Sequence, residues 1–224
     1  NPIRLFLVCL FVGLASMIFA QGTIRASIRH DGLERTFSYY LPACYTKGKA
    51  VPLVFNLHGY SSNADQQEFY GDFRKIADTA CFIIVHPNGT VFPQTSQQFW
   101  NCGLVPGGGS VDDVGFIHAL IDTISKDYSI DPDRIYSTGM SNGGFMSYHL
   151  ACRSDRFAAI ASVTGSMTAL TRLECQQASS IPVMEIHGTA DSTVKYNGTA
   201  GVLSIPEVLD KKKKKNGLNA NQVQ

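Results

Sequence analysis

Apolar residues along this chain fall into short continuous runs that alternate, from residue 51 onward, with longer stretches spaced at three and four. The runs 51–57 and 82–85 are short and almost wholly apolar, the pattern of strands buried on both faces. Between them, Phe69, Tyr70, Phe73, Ile76, Ala77 and Ala80 share one face of a helix predicted over 63–80. Ser62 with Asp65 three positions on resembles a capping box at its start. A second helix is predicted over 111–128, with Val114, Ile117, Leu120, Ile121 and Ile124 as its apolar face. Ser110 with Asp113 repeats the capping pattern, and Asp112 and Asp113 sit where the helix dipole favours anions. After a turn at Asp131-Pro132 come a strand over 134–138, a helix over 142–151, and strands over 158–163 and 182–186. Upstream, 23–28 and 35–41 flank Asp31-Gly32, a strong turn signal, and are predicted as a β-hairpin. Residues 87–111 are rich in Gly, Pro, Asn and Gln and are predicted as a long functional loop. The alternation implies an α/β fold, a mainly parallel central sheet with helices on both faces.

The two ends differ from this pattern. Residues 1–20 hold one charge, Arg4, then an apolar run over 5–19 and a small residue, Ala20, the signature of an export signal. The run is shorter than the roughly 20 apolar residues a spanning helix needs, which argues against a membrane anchor. The chain does not begin with Met, so its start is expected to be incomplete. Residues 21–210 form one domain of ordinary size. Residues 211–224 open with five lysines and continue polar and aperiodic, so they are expected to be disordered or out of frame. The net charge of +1 becomes mildly acidic once Arg4 and the lysine run are set aside. There is no basic stripe, and no nucleic-acid partner is expected. Of the six cysteines, Cys9 leaves with the signal. Cys152 and Cys175 are suitable for a bridge, and an odd count of five leaves a free thiol or a missing partner. Export to a compartment where disulfides persist, extracellular or periplasmic, is implied.

Candidate chemistry centres on Gly139-Met140-Ser141-Asn142-Gly143, a G-x-S-x-G sequence between a predicted strand and a predicted helix. The tight turn presents the Ser141 hydroxyl, and glycines two positions to either side let strand and helix approach. An oxyanion formed there needs two backbone donors. The Asn142 amide is one. The Tyr60 amide, in the His58-Gly59-Tyr60 loop after the 51–57 strand, is the other. His58 itself reads as a loop-holding residue. Asp191, after the 182–186 strand, is the candidate acid that would orient an imidazole.

The imidazole is missing from its expected place. The order in this type of fold is serine, acid, histidine, yet His30, His58, His86, His118, His149 and His187 all precede Asp191. Either the chain is an inactive relative or it is truncated at its C-terminus. Truncation is the expectation, because the last strand and helix would follow residue 210, where the lysine run begins.

Four motifs in order, Leu57-His58-Gly59, Asp112-Asp113-Val114-Gly115-Phe116, Gly139-Met140-Ser141-Asn142-Gly143-Gly144 and His187-Gly188-Thr189-Ala190-Asp191, resemble the poly(3-hydroxybutyrate) depolymerase and feruloyl esterase-like group, carbohydrate esterase family one. The resemblance covers about 23–200. It implies an α/β-hydrolase fold, export, and hydrolysis of polyhydroxyalkanoate oligomers or of feruloyl or acetyl esters of plant polysaccharide. It assigns Ser141 as nucleophile, Asp191 as acid, and Tyr60 and Asn142 as oxyanion donors. The loop with Phe92, Phe99 and Trp100 is a candidate aromatic surface, and Trp100 and His58 are candidate substrate contacts. An acyltransferase or peptidase would use the same nucleophile, and a non-catalytic binding protein would keep the fold without the base. No H-E-x-x-H or paired-cysteine zinc pattern is present, so neither metal nor cofactor is expected. Asn88 and Asn197 head Asn-Gly-Thr sequons.

Overall fold

The computed structural model describes residues 22–104, 110–175 and 180–217. The leader expected over 1–20 and the last part of the tail, 218–224, lie outside the described residues. In chain order the elements are β1 (Gly22–His30), β2 (Leu33–Leu41), β3 (Val51–Leu57), α1 (Ala64–Tyr70), α2 (Arg74–Ala80), β4 (Ile83–Pro87), β5 (Thr90–Phe92) and β6 (Gln97–Phe99). Then follow α3 (Asp113–Asp127), β7 (Ile130–Met140), α4 (Asn142–Arg153), β8 (Ala159–Val163), α5 (Ala169–Glu174), β9 (Val183–Ile186) and α6 (Ile205–Lys215).

Seven strands form one sheet in the order β1-β2-β4-β3-β7-β8-β9. The expected hairpin is there, and Asp31 and Gly32 both take positive φ, as a two-residue turn with right-handed strand twist requires. From β4 onward every pairing is parallel. Leu53, Phe55 and Leu57 of β3 are fully buried against Phe116, Ile117, Leu120 and Ile121 of α3 and Phe145 and Met146 of α4. The Asp131-Pro132 turn signal lies inside β7. It makes a bulge rather than ending the strand: two residues of β3 (Val51 to Leu53) face five of β7 (Ile130 to Ile135).

Several expectations change. The helix predicted over 63–80 is two helices. Gly71 caps α1, and the Asp72 carboxylate then accepts from the Arg74 amide at 3.1 Å and restarts the chain in α2. With the helix broken, Phe69, Tyr70 and Ile76 are exposed and only Ala77 of that apolar set is buried. The N-caps are Asn63 and Asp112 rather than Ser62 and Ser110, each accepting from the amide three residues on. The long loop after β4 contains the β5–β6 hairpin. Helix α6 carries the chain through the lysine run, where a disordered tail was expected. Ser204 and Glu207 close a capping box, Pro206 occupies the first turn, and the Lys212 stem is buried with its ammonium 3.7 Å from Cys175 Sγ.

The sheet is not equally covered. Helices α1 and α2 pack beside β3 and β4, and α4 packs on β3, β7 and β8. Opposite α4, Tyr136, Ala161, Val163, Met184 and Ile186 line an apolar groove, with Met184 and Ile186 more than half exposed. Among the described residues no helix covers that side of β7 to β9, and β9 is an edge strand.

Two disulfides pin surface segments to this frame, Cys44–Cys81 across 37 positions and Cys152–Cys175 across 23. Loop-closure entropy assigns them about 4 and about 3 kcal/mol. Replacing either pair by serine is expected to lower the urea midpoint, more for Cys44–Cys81. A midpoint unmoved by both replacements would show that the bridges do not constrain the unfolded chain.

Candidate active site

Strand β7 runs straight into α4 through one residue. Ser141 takes φ 53° and ψ −118°, a conformation that L-residues with a side chain rarely adopt and that costs about 1–3 kcal/mol. Its own backbone holds it there. The Ser141 amide donates to the Val163 carbonyl at 2.8 Å, and its carbonyl accepts from Phe145 at 3.0 Å. The close approach leaves no room for side chains nearby. A Cβ on Gly139 would meet the Leu57 carbonyl at 2.7 Å, and one on Gly143 would overlap it outright and lie 2.8 Å from the His58 carbonyl. These contacts press the end of β3 against the first turn of α4. A Cβ on Gly59 would sit 3.6 Å from Ser141 Cβ, so the His58-Gly59-Tyr60 loop passes directly beside the serine.

The structure therefore brings Ser141, Asn142 and the Gly59-Tyr60 segment together. Asn142 opens α4, where first-turn amides have no intrahelical acceptor. The Tyr60 amide has no hydrogen-bond partner among the described residues, while the flanking loop is fixed by Ser61 N–H to the Gln98 carbonyl (2.9 Å) and Ser62 N–H to the Gly59 carbonyl (3.2 Å). The Tyr60 side chain reaches away, its hydroxyl 2.7 Å from Thr95 Oγ1.

Trp100 and His58, expected at the substrate surface, are fully buried behind this loop, and Phe92 and Phe99 are buried too. The Trp100 ring N–H donates to the His58 carbonyl (2.9 Å). His58 accepts from the Gly89 amide at Nε2 (2.9 Å), which places its proton on Nδ1, donating to the Gly59 carbonyl (2.7 Å). Burial holds this imidazole neutral, its pKa lowered to about 4. The Asn142 side chain accepts from Trp100 N–H (2.7 Å), donates to the Trp100 carbonyl (3.2 Å) and points a further N–H at Cys102 Sγ (3.4 Å). Cys102 is a free thiol, pushed up to about 12 by burial, so it stays protonated. Behind them Arg35 and Asp113 form a wholly buried ion pair at 2.6 Å, and the other Asp113 oxygen accepts from the Asn101 amide. The sequence signalled Asp113 only as a helix-start anion. Nothing in its spacing revealed Arg35 as partner.

Asp191 lies in the loop after β9, two strands from β7. Its Oδ1 accepts from the Val194 (2.9 Å) and Thr193 (2.8 Å) amides, which hold the carboxyl below its ordinary range. Its other oxygen is 3.7 Å from His187 Nε2. His187 is buried and committed on both sides, to the Val194 carbonyl at 2.7 Å and to Glu185 Oε1 at 3.1 Å. Glu185 in turn accepts from the Tyr148 hydroxyl at 2.8 Å, so a buried chain of three side chains ties α4 to the acid loop. The remaining histidines are placed elsewhere: His30 beside Asp112, His86 against Asn56, His118 on Ser154 and His149 on Thr171. None of the six hydrogen-bonds Ser141. Among the described residues no cluster of side chains is suited to hold a metal ion.

A family model described as esterase PHB depolymerase matches residues 35–209. The chain is 28% identical over 182 residues to a bifunctional acetylxylan esterase/xylanase of Neocallimastix patriciarum, covering 81% of this chain and 25% of that protein. It is 32% identical over 160 residues to feruloyl esterase B of Piromyces equi, covering 70% and 29%. The chain thus spans about a quarter of the length of these relatives. Among solved structures it is similar to a thermostable esterase (TM-score 0.64, 17% identity, covering 87% of this chain and 51% of that one). It is also similar to the acetyl xylan esterase from Aspergillus awamori (TM-score 0.62, 15% identity, covering 77% and 74%). The fold is that of an α/β-hydrolase.

Acid should loosen the loop beside the serine. Burial lowers the pKa of both His58 and His86 from 6.5 to about 4. The unfolded chain takes up these protons near pH 6.5 and the folded protein only near 4. Their contribution to stability is therefore whole above about 6.5 and is lost as pH falls towards 4. The urea midpoint is expected to fall across that window, and His58→Gln to flatten part of the slope. An identical slope in the variant would mean that His58 titrates freely.

Proposed function

Because the chain belongs to the esterase PHB depolymerase family, we propose that it carries the nucleophile half of a secreted serine esterase. The observation behind this reading is Ser141, held at positive φ at the junction of β7 and α4 beside the Gly59-Tyr60 loop. In the reaction the Ser141 hydroxyl attacks the ester carbonyl carbon and its proton passes to a base. The carbonyl oxygen becomes an oxyanion facing the Tyr60 and Asn142 amides. Collapse expels the alcohol, which takes the proton back, and leaves an acyl group on Ser141. Water then hydrolyses that acyl-enzyme by the same steps. Asp191, kept ionised by its two backbone donors, would orient the imidazole and stabilise it when charged.

The base is not one of the six histidines. Each has the surroundings given above, and an imidazole serving both Asp191 and Ser141 would have to approach from the free edge of β9. Residues 1–224 alone should therefore be poor catalysts, since removal of the base reduces turnover by on the order of a millionfold in a related triad. That same observation favours the second reading, a binding protein that keeps the fold. The named activities of the relatives suggest acetyl or feruloyl esters of plant polysaccharide, with polyhydroxyalkanoate oligomers as the alternative. Two disulfides support export.

Hydrolysis of p-nitrophenyl acetate by this chain, with imidazole added to the solution, tests the reading. Dissolved imidazole should raise the rate at least about tenfold above the same imidazole with the Ser141→Ala variant, because the diffusible base stands in for the missing one. A fluorophosphonate should label Ser141 in the same conditions. No Ser141-dependent rate and no labelling would leave the binding-protein reading in its place.

A further inference from the structure

A cavity of about 640 Å³ lies behind the oxyanion loop, between the start of β2, the β4–β5 turn and the β5–β6 hairpin. That volume is within the range of about 300–1,000 Å³ usual for small-molecule sites. Its polar wall is neutral: the hydroxyls of Thr36 and Thr90 and the amides of Gln94 and Gln98. Two oxygens of that wall, Thr90 Oγ1 and Gln98 Oε1, have no hydrogen-bond partner among the described residues, an uncommon condition for buried polar atoms. The rim adds Leu33 and Val91, large apolar side chains left 44% and 55% exposed. We propose that this cavity binds a neutral sugar residue.

The charge distribution selects the class. Arg35 reaches the cavity wall, but its guanidinium is spent on Asp113 at 2.6 Å and on the Phe116 ring, 3.9 Å from its centroid. The other charged lining residue is Glu34, so a carboxylate or phosphate ligand would meet repulsion and no free cation. Amides and hydroxyls both donate and accept, as sugar hydroxyls do. The exposed aliphatic rim matches the C–H faces of a pyranose. The site also adjoins the chemistry. Its floor includes Gly89, whose amide donates to His58 Nε2, and Asn88, whose Oδ1 accepts from the Ala64 amide. A ligand there would contact the segments that hold the loop beside Ser141. That the sugar belongs to an esterified polysaccharide rests on the esterase reading; the binding itself does not.

Titration of the whole chain with xylotriose, followed by amide NMR shifts and calorimetry, tests the site. Saturable binding is expected, with shifts at Thr90, Val91 and Gln98. Thr90→Val and Gln98→Leu should each weaken it about tenfold, the equivalent of a hydrogen bond, with thermal unfolding confirming that each variant is folded. Ser141→Ala should bind as the parent does, and trigalacturonate should not compete. No saturable binding at millimolar xylotriose, or binding unaffected by both variants, overturns the proposal. If xylotriose fails to bind while imidazole still drives Ser141-dependent hydrolysis, the sugar site is wrong and the esterase reading stands. If it binds with no such hydrolysis, the site stands without that reading.

Discussion

A strand cannot become a helix across one residue unless that residue leaves the ordinary backbone regions and its neighbours surrender their side chains. Ser141 does the first and Gly139 and Gly143 do the second. The reversal is strained, so the surroundings must over-determine it. They do so from three sides: Val163 from the neighbouring strand, Phe145 from the helix, and the end of β3 pressed against Gly143. The parallel sheet is what makes this possible, since it sets β3, β7 and β8 side by side with their carboxyl ends together. Strand burial, helix packing and the exposed hydroxyl are consequences of one backbone geometry.

Around that point the loops are held by buried polar groups rather than by regular structure. His58, Trp100 and Asn142 fix one side of the serine, and Tyr148, Glu185 and His187 fix the acid loop on the other. Such networks are rigid when satisfied and expensive when broken, because each partner removed leaves another polar group without water. The α4 helix belongs to both, through Asn142 at its first residue and Tyr148 two turns on. It is the common support of the two halves of the site.

Much of this was legible in the sequence, for reasons that can be stated residue by residue. Buried parallel strands read as continuous apolar runs, so 51–57 and 182–186 were readily placed. The G-x-S-x-G pattern is itself a statement of backbone geometry, and it located the turn. The break of the first long helix was not legible, because Phe69, Tyr70, Phe73 and Ile76 keep helical spacing across Gly71 although the helix does not. Trp100 was misplaced for a related reason: an aromatic residue in a loop reads as surface, and only the tertiary contact with Asn142 and His58 buries it. The lysine run was misjudged because five like charges outweigh, in a local reading, a capping box six positions upstream and apolar contacts at Ile205 and Val208. The Arg35–Asp113 pair is separated by 78 positions, beyond any local pattern.

The grip of Asn142 on the loop is made through the main chain of residue 100, both its N–H and its carbonyl. Those atoms are the same whatever amino acid stands there. The anchor is therefore indifferent to loop spelling, and the stretch that follows can be rewritten, lengthened or decorated while the serine's neighbourhood keeps its shape. A single amide side chain thus separates the variable part of the molecule from the part that must not vary.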